Sequence, residues 1–341
     1  MHVTIVDVAK KAGVSPSTVS RVISGHPRIS PATIRKVKEI MEELGYHPNV
    51  MAKSLVSKTT QTLGLLLPRS AEELFQNLFF SEVIRGVISQ ATRSSYDLMM
   101  TTGTTEREEV EAVTRLVRGR RVDGIILLYS RNADPVIAFL KEHSFPFVLI
   151  GRSEDEAILT VDNDNEQAAY DVTKHLIQQG HRRIGFVSGP PNLIVSRDRL
   201  NGYKKALKDA DIPFRKDWIV EGEFLQESGY RAMSFLMSLP ERPTGLVVMD
   251  DMVAFGVTRG LNELGYSVPQ HLSIVGFNNL PMSELATPPI SSVDIGIYQL
   301  GYTASQVLIR AVKGEDIPHT RTIIPHRLIV RESSLYHLAT E

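Results

Sequence analysis

The sequence predicts an α/β protein, with a small helical module at its N-terminus and two parallel-sheet lobes in series behind it. Three features carry that prediction: polar, glycine-punctuated helical segments in the first 45 residues, apolar runs alternating with helical stretches from residue 63 onward, and a repeat of the alternation from residue 183. A chain of 341 residues exceeds what one small core needs. With 42% hydrophobic and 23% charged residues, and no run of about 18 apolar residues, it reads as soluble with no membrane span. The opening "MHVTIVDVAKKAGVSPSTVS" carries charges and no apolar core segment, so no secretory signal is expected. The absence of cysteine excludes disulfides and thiolate metal sites and fits a reducing cytoplasm.

Charge is unevenly distributed. Residues 1 to 60 hold nine Lys and Arg against four Asp and Glu, or +5, which leaves −6 for the remainder of a chain with net charge −1. A basic module on an acidic body suggests a polyanionic partner for the module, although charge alone slightly favours a plain solvated basic face.

Within the module, "IVDVAKKA" (5 to 12) places Ile5, Val8, Ala9 and Ala12 on one stripe, and Gly13 stops the helix. Ser15 is suited to cap a second helix with Pro16 at its first position; Val19, Val22 and Ile23 face inward and Ser17, Thr18, Ser20 and Arg21 outward. A third helix follows Ser30 and Pro31, turns Ile34, Val37, Met41 and Leu44 inward, and closes at Gly45. Helix, tight turn and a second helix with short hydrogen-bonding groups at its start form a helix-turn-helix pattern. Such a helix presents donors and acceptors to base edges, and Arg21 reaches a guanine or a phosphate. The next stretch, "YHPNVMAKSLVSKTTQT", holds about two helical turns, too few to stand alone in water. Its Leu55 reads either as a minor-groove wedge or as a plain linker residue.

In the body, strands are predicted near 62 to 68, 96 to 102, 123 to 129 and 146 to 151, then near 183 to 189, 218 to 224, 244 to 250 and 272 to 279, with helical stretches between. Ligands of such sheets bind beyond the carboxyl ends of the strands, so paired lobes make a cleft. Polar and aromatic residues gather there: Phe79, Phe80, Tyr129, Ser130, Arg131, Arg152, Arg199, Phe224, Asp250, Asn278 and Asn279. Aromatic faces beside planar hydrogen-bonding groups suit a sugar ring. Singly, the two Phe could be core, Asp250 a helix cap, and Arg131 and Arg152 surface charges. No GxxxxGK(S/T) loop, GxSxG elbow or HExxH pair occurs, and His175 and His181 merely flank a helix end, so no catalytic, metal or cofactor site is expected.

With "TIVDVAKKAGVSPSTVSRVISG" and "YHPNVMAKSLVSKTTQTLGLLLP" in view, the chain resembles the lactose/galactose repressor (LacI/GalR) family of bacterial transcription regulators over essentially its full length. The resemblance implies a DNA-binding headpiece (1–46), a hinge helix and linker (47–60), and an effector-binding and dimerisation domain (61–341) of periplasmic-binding-protein type. Three crossovers would divide that domain into 61–160 with 293–320 and 161–292 with 321–341. It further implies DNA contacts by Thr4, Ser15, Pro16, Ser17, Thr18, Ser20, Arg21, Asn49, Ala52, Lys53 and Leu55, the last as the minor-groove wedge. For the cleft it implies effector contacts by Phe79, Phe80, Arg199, Phe224, Asp250 and Asn278, to which the strand-end reading adds Tyr129, Arg131 and Arg152. Many relatives carry other residues where Asp250 and Asn278 stand. "FQNLFFSEVIRG" and "DGIILLYSRNADPVIAFL" are most similar to maltose or maltodextrin operon regulators of Gram-positive bacteria. The implied protein is a cytoplasmic homodimer on a near-palindromic operator, released by a sugar effector, with no cofactor. The nearest rival is a carbon-catabolite regulator with a phosphorylated carrier protein as corepressor, for which Ile84 and Arg85 offer a face. A sugar-transport protein and a sugar-processing enzyme are opposed by the headpiece and by the lack of an acid–base pair.

Overall fold

The computed structural model describes residues 3–46, 59–67, 76–128 and 130–335. The predicted DNA contacts Asn49, Ala52, Lys53 and Leu55, and the predicted effector contact Tyr129, lie outside the described residues.

The N-terminal module is three helices, α1 (Ile5–Ala12), α2 (Pro16–Ile23) and α3 (Pro31–Glu43), around Val8, Ala9, Ala12, Val19, Val22 and Val37. Each boundary has a local chemical cause. The Asp7 carboxylate accepts the Thr4 backbone N–H at 2.8 Å, and Gly13, at φ 66°, takes the left-handed conformation that ends α1. Ser15 and Ser30 cap α2 and α3 by accepting the N–H of Thr18 and Thr33, both at 3.2 Å, and each helix opens with proline.

The body contains two six-stranded sheets. The first has the order β11-β5-β4-β3-β1-β2, built from β1 (Thr62–Leu67), β2 (Asp97–Thr102), β3 (Gly124–Leu127), β4 (Phe147–Ile150), β5 (Thr160–Asp162) and β11 (Arg321–Ile323), all pairs parallel. The second has the order β12-β10-β9-β8-β6-β7, built from β6 (Ile184–Ser188), β7 (Ile219–Glu221), β8 (Gly245–Val248), β9 (Ser273–Phe277), β10 (Ser291–Asp294) and β12 (Arg327–Ile329), with only β10–β12 antiparallel. Strands β3, β6, β8 and β9 are buried along their whole length, as sheets covered on both faces require.

The covering helices of the first lobe are α4 (Leu78–Arg93), α5 (Glu106–Arg118), α6 (Pro135–Glu142) and α12 (Ile297–Val312). Those of the second are α7 (Asn165–Gln178), α8 (Ile194–Asp209), α9 (Gln226–Ser238) and α10 (Asp251–Glu263), with the short α11 (Pro281–Leu285) after β9. Helix α12 returns to the first lobe and meets α4 at backbone contact: a Cβ on Gly86 would stand 2.1 Å from the Tyr298 carbonyl oxygen, and one on Gly301 2.1 Å from that of Val83.

The lobe boundaries differ from the expected ones by a few residues. Strand β5 runs through Asp162 and β11 through Ile323 in the first sheet, so residues 161–162 and 321–323 belong there, while β10 keeps Val293 and Asp294 in the second sheet. These strands are three or four residues long and carry no periodicity that a sequence pattern could detect. One side chain joins the three crossovers: Asn163 Nδ2 donates to the Ile295 carbonyl at 2.9 Å and to that of Ile324 at 2.8 Å.

Candidate functional site

Parallel sheets direct the carboxyl ends of their strands, and the starts of the helices that follow, toward one edge. Here both edges line one cavity of about 580 Å³ between the lobes. Of the predicted effector contacts, Phe79, Phe80, Arg131, Arg152, Arg199, Phe224, Asp250 and Asn278 all lie on its wall, as does Ser130.

Arg199 projects from α8 and is 5% exposed. Its Nε donates to Asn165 Oδ1 at 2.9 Å, its Nη1 donates to the Met249 carbonyl at 2.7 Å, and its guanidinium stacks 4.1 Å from the Phe277 ring centre. Burial lowers its pKa to about 10, against the pull of Asp250, Asp162, Asp251 and Asp198. Asp250 both caps a helix and lines the cavity: Oδ1 accepts the Met252 N–H at 2.7 Å, and Oδ2 accepts Asn278 Nδ2 at 2.8 Å. Burial raises its pKa to about 6. Asn278 holds the unusual φ of 100°, fixed by its N–H donating to the Val293 carbonyl at 2.8 Å. Phe79 and Phe80 meet edge to face at 5.3 Å, lining the cavity while packing against the core.

The other two arginines are already paired. The Arg131 guanidinium is held by Glu109, by Asp134 at 3.1 Å and by Glu106 at 3.6 Å, all from its own lobe. Arg152 reaches across the cleft, where Nε and Nη2 each donate to an Asp198 carboxylate oxygen at 2.8 Å. Both are cavity-wall clasps rather than loose surface charges.

Several residues that sequence reasoning missed complete the site. Asn77 accepts the Phe79 N–H at the start of α4, while its Nδ2 crosses to Asp250 Oδ2 and the Phe224 carbonyl, both at 3.3 Å. Asp162, Asn163, Asn165 and Asp198 also line the wall. Asp162 accepts Asn165 Nδ2 at 3.0 Å, and burial raises its pKa to about 6. Asp251 sits behind the wall: its carboxylate accepts Leu280 N at 2.8 Å, Ser283 Oγ at 2.6 Å and Ser292 Oγ at 2.7 Å, tying the loop after β9 to β10. Its pKa rises to about 7 because burial outweighs these donors. Asn279 does not line the cavity; its Oδ1 accepts Arg331 Nη2 at 2.8 Å.

In the N-terminal module the predicted contacts occupy the start and outer face of α2. Pro16, Ser17 and Arg21 are exposed, with Thr18 and Ser20 half-buried. Ser17 and Arg21 are four residues apart and share a face. The Ser15 hydroxyl lies 2.8 Å from that of Ser17 and 2.9 Å from that of Thr18. Thr4 is exposed, but its hydroxyl donates to Asp7 Oδ2 at 2.7 Å. Among the described residues no cluster of His, Asp and Glu could hold a metal ion, and no helix is long and apolar enough to cross a membrane.

Residues 4–49 match the model of bacterial regulatory proteins of the lacI family, and residues 173–334 that of the periplasmic binding protein-like domain. The HTH-type transcriptional regulator MalR of Streptococcus pneumoniae is 38% identical over 334 residues, covering 96% of this chain and 99% of that protein. The chain belongs to the LacI family. It is thus a DNA-binding transcriptional repressor whose body has the periplasmic-binding-protein-like fold. Catabolite control protein A of Priestia megaterium is 35% identical over 336 residues, covering 98% of this chain and 100% of that one. Among solved structures, the lac repressor dimer bound to operator and the anti-inducer ONPF superposes with a TM-score of 0.87 at 26% identity, covering 98% of this chain and 100% of that one.

Proposed function

We propose that this LacI-family protein represses a sugar-utilisation operon, that of maltose or maltodextrin, and leaves its operator when the sugar enters the interlobe cavity. The observation that carries this reading is the cavity itself: about 580 Å³, within the range of small-molecule sites, and lined by the Phe79, Phe80 and Phe224 rings and the polar groups of Arg199, Asp250 and Asn278. Aromatic faces with planar donors and acceptors match the apolar faces and hydroxyl rim of a sugar ring. The 38% identity to MalR supports the choice of sugar.

In this reading residues 1–46 read DNA, 47–60 form the hinge and linker, and 61–341 bind effector and dimerise in the cytoplasm. Pro16, Ser17 and Arg21 face the major groove, helped by Thr4, Ser15, Thr18 and Ser20. Asn49, Ala52, Lys53 and Leu55 engage the operator centre, with Leu55 as the wedge. Two copies match the two half-sites of a near-palindrome, in keeping with the lac repressor dimer on its operator. Sugar closure of the cleft alters the lobe geometry that supports the hinge, and the operator is released.

Fluorescence anisotropy on a palindromic operator with a central CG step tests this, titrated at fixed salt with and without maltose and longer maltodextrins, since phosphate contacts make affinity salt-dependent. Weaker operator binding with one of these sugars is the expected result. Operator binding that no such sugar changes refutes the effector.

The catabolite-control reading draws on the 35% identity to catabolite control protein A. For a carrier protein, α4 offers Arg85, which is exposed, paired with Glu82 at 2.7 Å and stacked 4.4 Å from the Tyr298 ring. Ile84, expected on the same face, is buried in the core and offers no contact.

A further inference from the structure

We infer that the cavity is built for an uncharged saccharide and rejects the phosphorylated form of the same sugar. This rests on the sugar-responsive reading above and narrows its ligand class.

A phosphate dianion needs unspent cations or open helix starts. The cavity wall carries Arg131, Arg152 and Arg199 against Asp162, Asp198, Glu223 and Asp250. Arg131 is engaged by Glu106, Glu109 and Asp134, and Arg152 by both oxygens of Asp198. Among the described residues, Arg199 commits Nε and Nη1 and Arg152 commits Nε and Nη2, so each has one amino nitrogen left for a ligand, Nη2 and Nη1 respectively. Single donors on two separate guanidinium groups suit hydroxyls and fall short of the bidentate fork that best holds a phosphate.

Two helix starts on the cavity wall are closed by side chains: Asn77 Oδ1 accepts the Phe79 N–H of α4 at 3.0 Å, and Asp250 Oδ1 accepts the Met252 N–H of α10 at 2.7 Å. The α9 start, at Leu225, carries no side-chain cap. The Ile194 N–H of α8 donates to the Ser130 carbonyl at 3.2 Å, across the cleft. The Asp250 plug is a carboxylate, so the positive end of α10 is filled by negative charge from the chain itself. The raised proton affinity of Asp250 and Asp162 marks a place where further negative charge is costly.

Isothermal titration of the full chain with maltose and maltose 6′-phosphate, at one ionic strength, tests the inference. We expect the phosphate to weaken binding at least about tenfold. Equal or tighter binding of the phosphorylated sugar overturns the inference and leaves the sugar reading standing, whereas failure of both sugars to bind removes the sugar reading and the inference together. Asp198→Asn keeps the side-chain shape and frees the Arg152 charge. The ratio between the two sugars should then narrow several-fold, and an unchanged ratio contradicts the proposed role of pairing.

Discussion

The headpiece and the cavity solve recognition in opposite ways. On α2, Pro16, Ser17 and Arg21 are exposed, and among the described residues no ion pair holds Arg21, so its charge stays available to a surface that arrives from outside. In the cavity, Arg199, Asp250 and Asn278 are buried and hydrogen-bonded before any ligand enters. A flat polyanion rewards exposed donors, which lose little by waiting in water. A small enclosed ligand rewards groups already fixed in place, because an unpaired buried charge is costly. Substitutions should therefore separate cleanly, with large losses from the networked site and moderate, salt-sensitive ones from the exposed helix.

The largest effect is expected from Arg199→Ala, which removes two hydrogen bonds and the stacking on Phe277. Sugar affinity by calorimetry should fall roughly 100-fold while operator affinity without sugar is retained. A normal sugar response in this variant would mean that the cleft has been misassigned. Arg21→Ala should weaken operator binding about 10- to 100-fold in anisotropy at fixed salt and leave sugar affinity unchanged. If both affinities fell, the two recognition surfaces would not be independent. Asn163→Ala, which unties the Ile295 and Ile324 carbonyls, should reduce the factor by which sugar weakens operator binding, several-fold. A lowered melting temperature with that factor intact would restrict Asn163 to stability.

The smallest effect concerns pH. Asp251 titrates near 7 in the folded protein against an ordinary value of 3.8. Between about pH 4 and 7 the folded chain keeps a proton that the unfolded chain has released, so stability falls as pH rises through this window. Asp251→Asn should flatten the melting-temperature profile there relative to the parent, and parallel profiles would argue against the buried proton.

The same contrast explains what the sequence made legible. The headpiece is written in short-range chemistry: Ser15 caps a helix three residues ahead, and Gly13 ends one at its own position. The strand ends of the body were legible from apolar runs, which is why Arg131, Arg152, Arg199, Phe224, Asp250 and Asn278 could be named as lining the cavity. The lobe boundaries and the wall clasps were not. Asn163 meets partners 132 and 161 residues away, Asn77 meets Asp250 173 residues away, and no local pattern encodes such pairs. Arg131 illustrates the limit: its position was legible, but its engagement by Glu109, twenty-two residues earlier, was visible only in the fold.

The central claim is that the exposed surface and the buried cavity are coupled, and reciprocity tests it most directly. Maltose affinity of the full chain should be measured by calorimetry with and without saturating operator DNA at one salt concentration. The account predicts that operator weakens maltose binding by the same factor by which maltose weakens operator binding. Identical maltose affinity in the two conditions would contradict it.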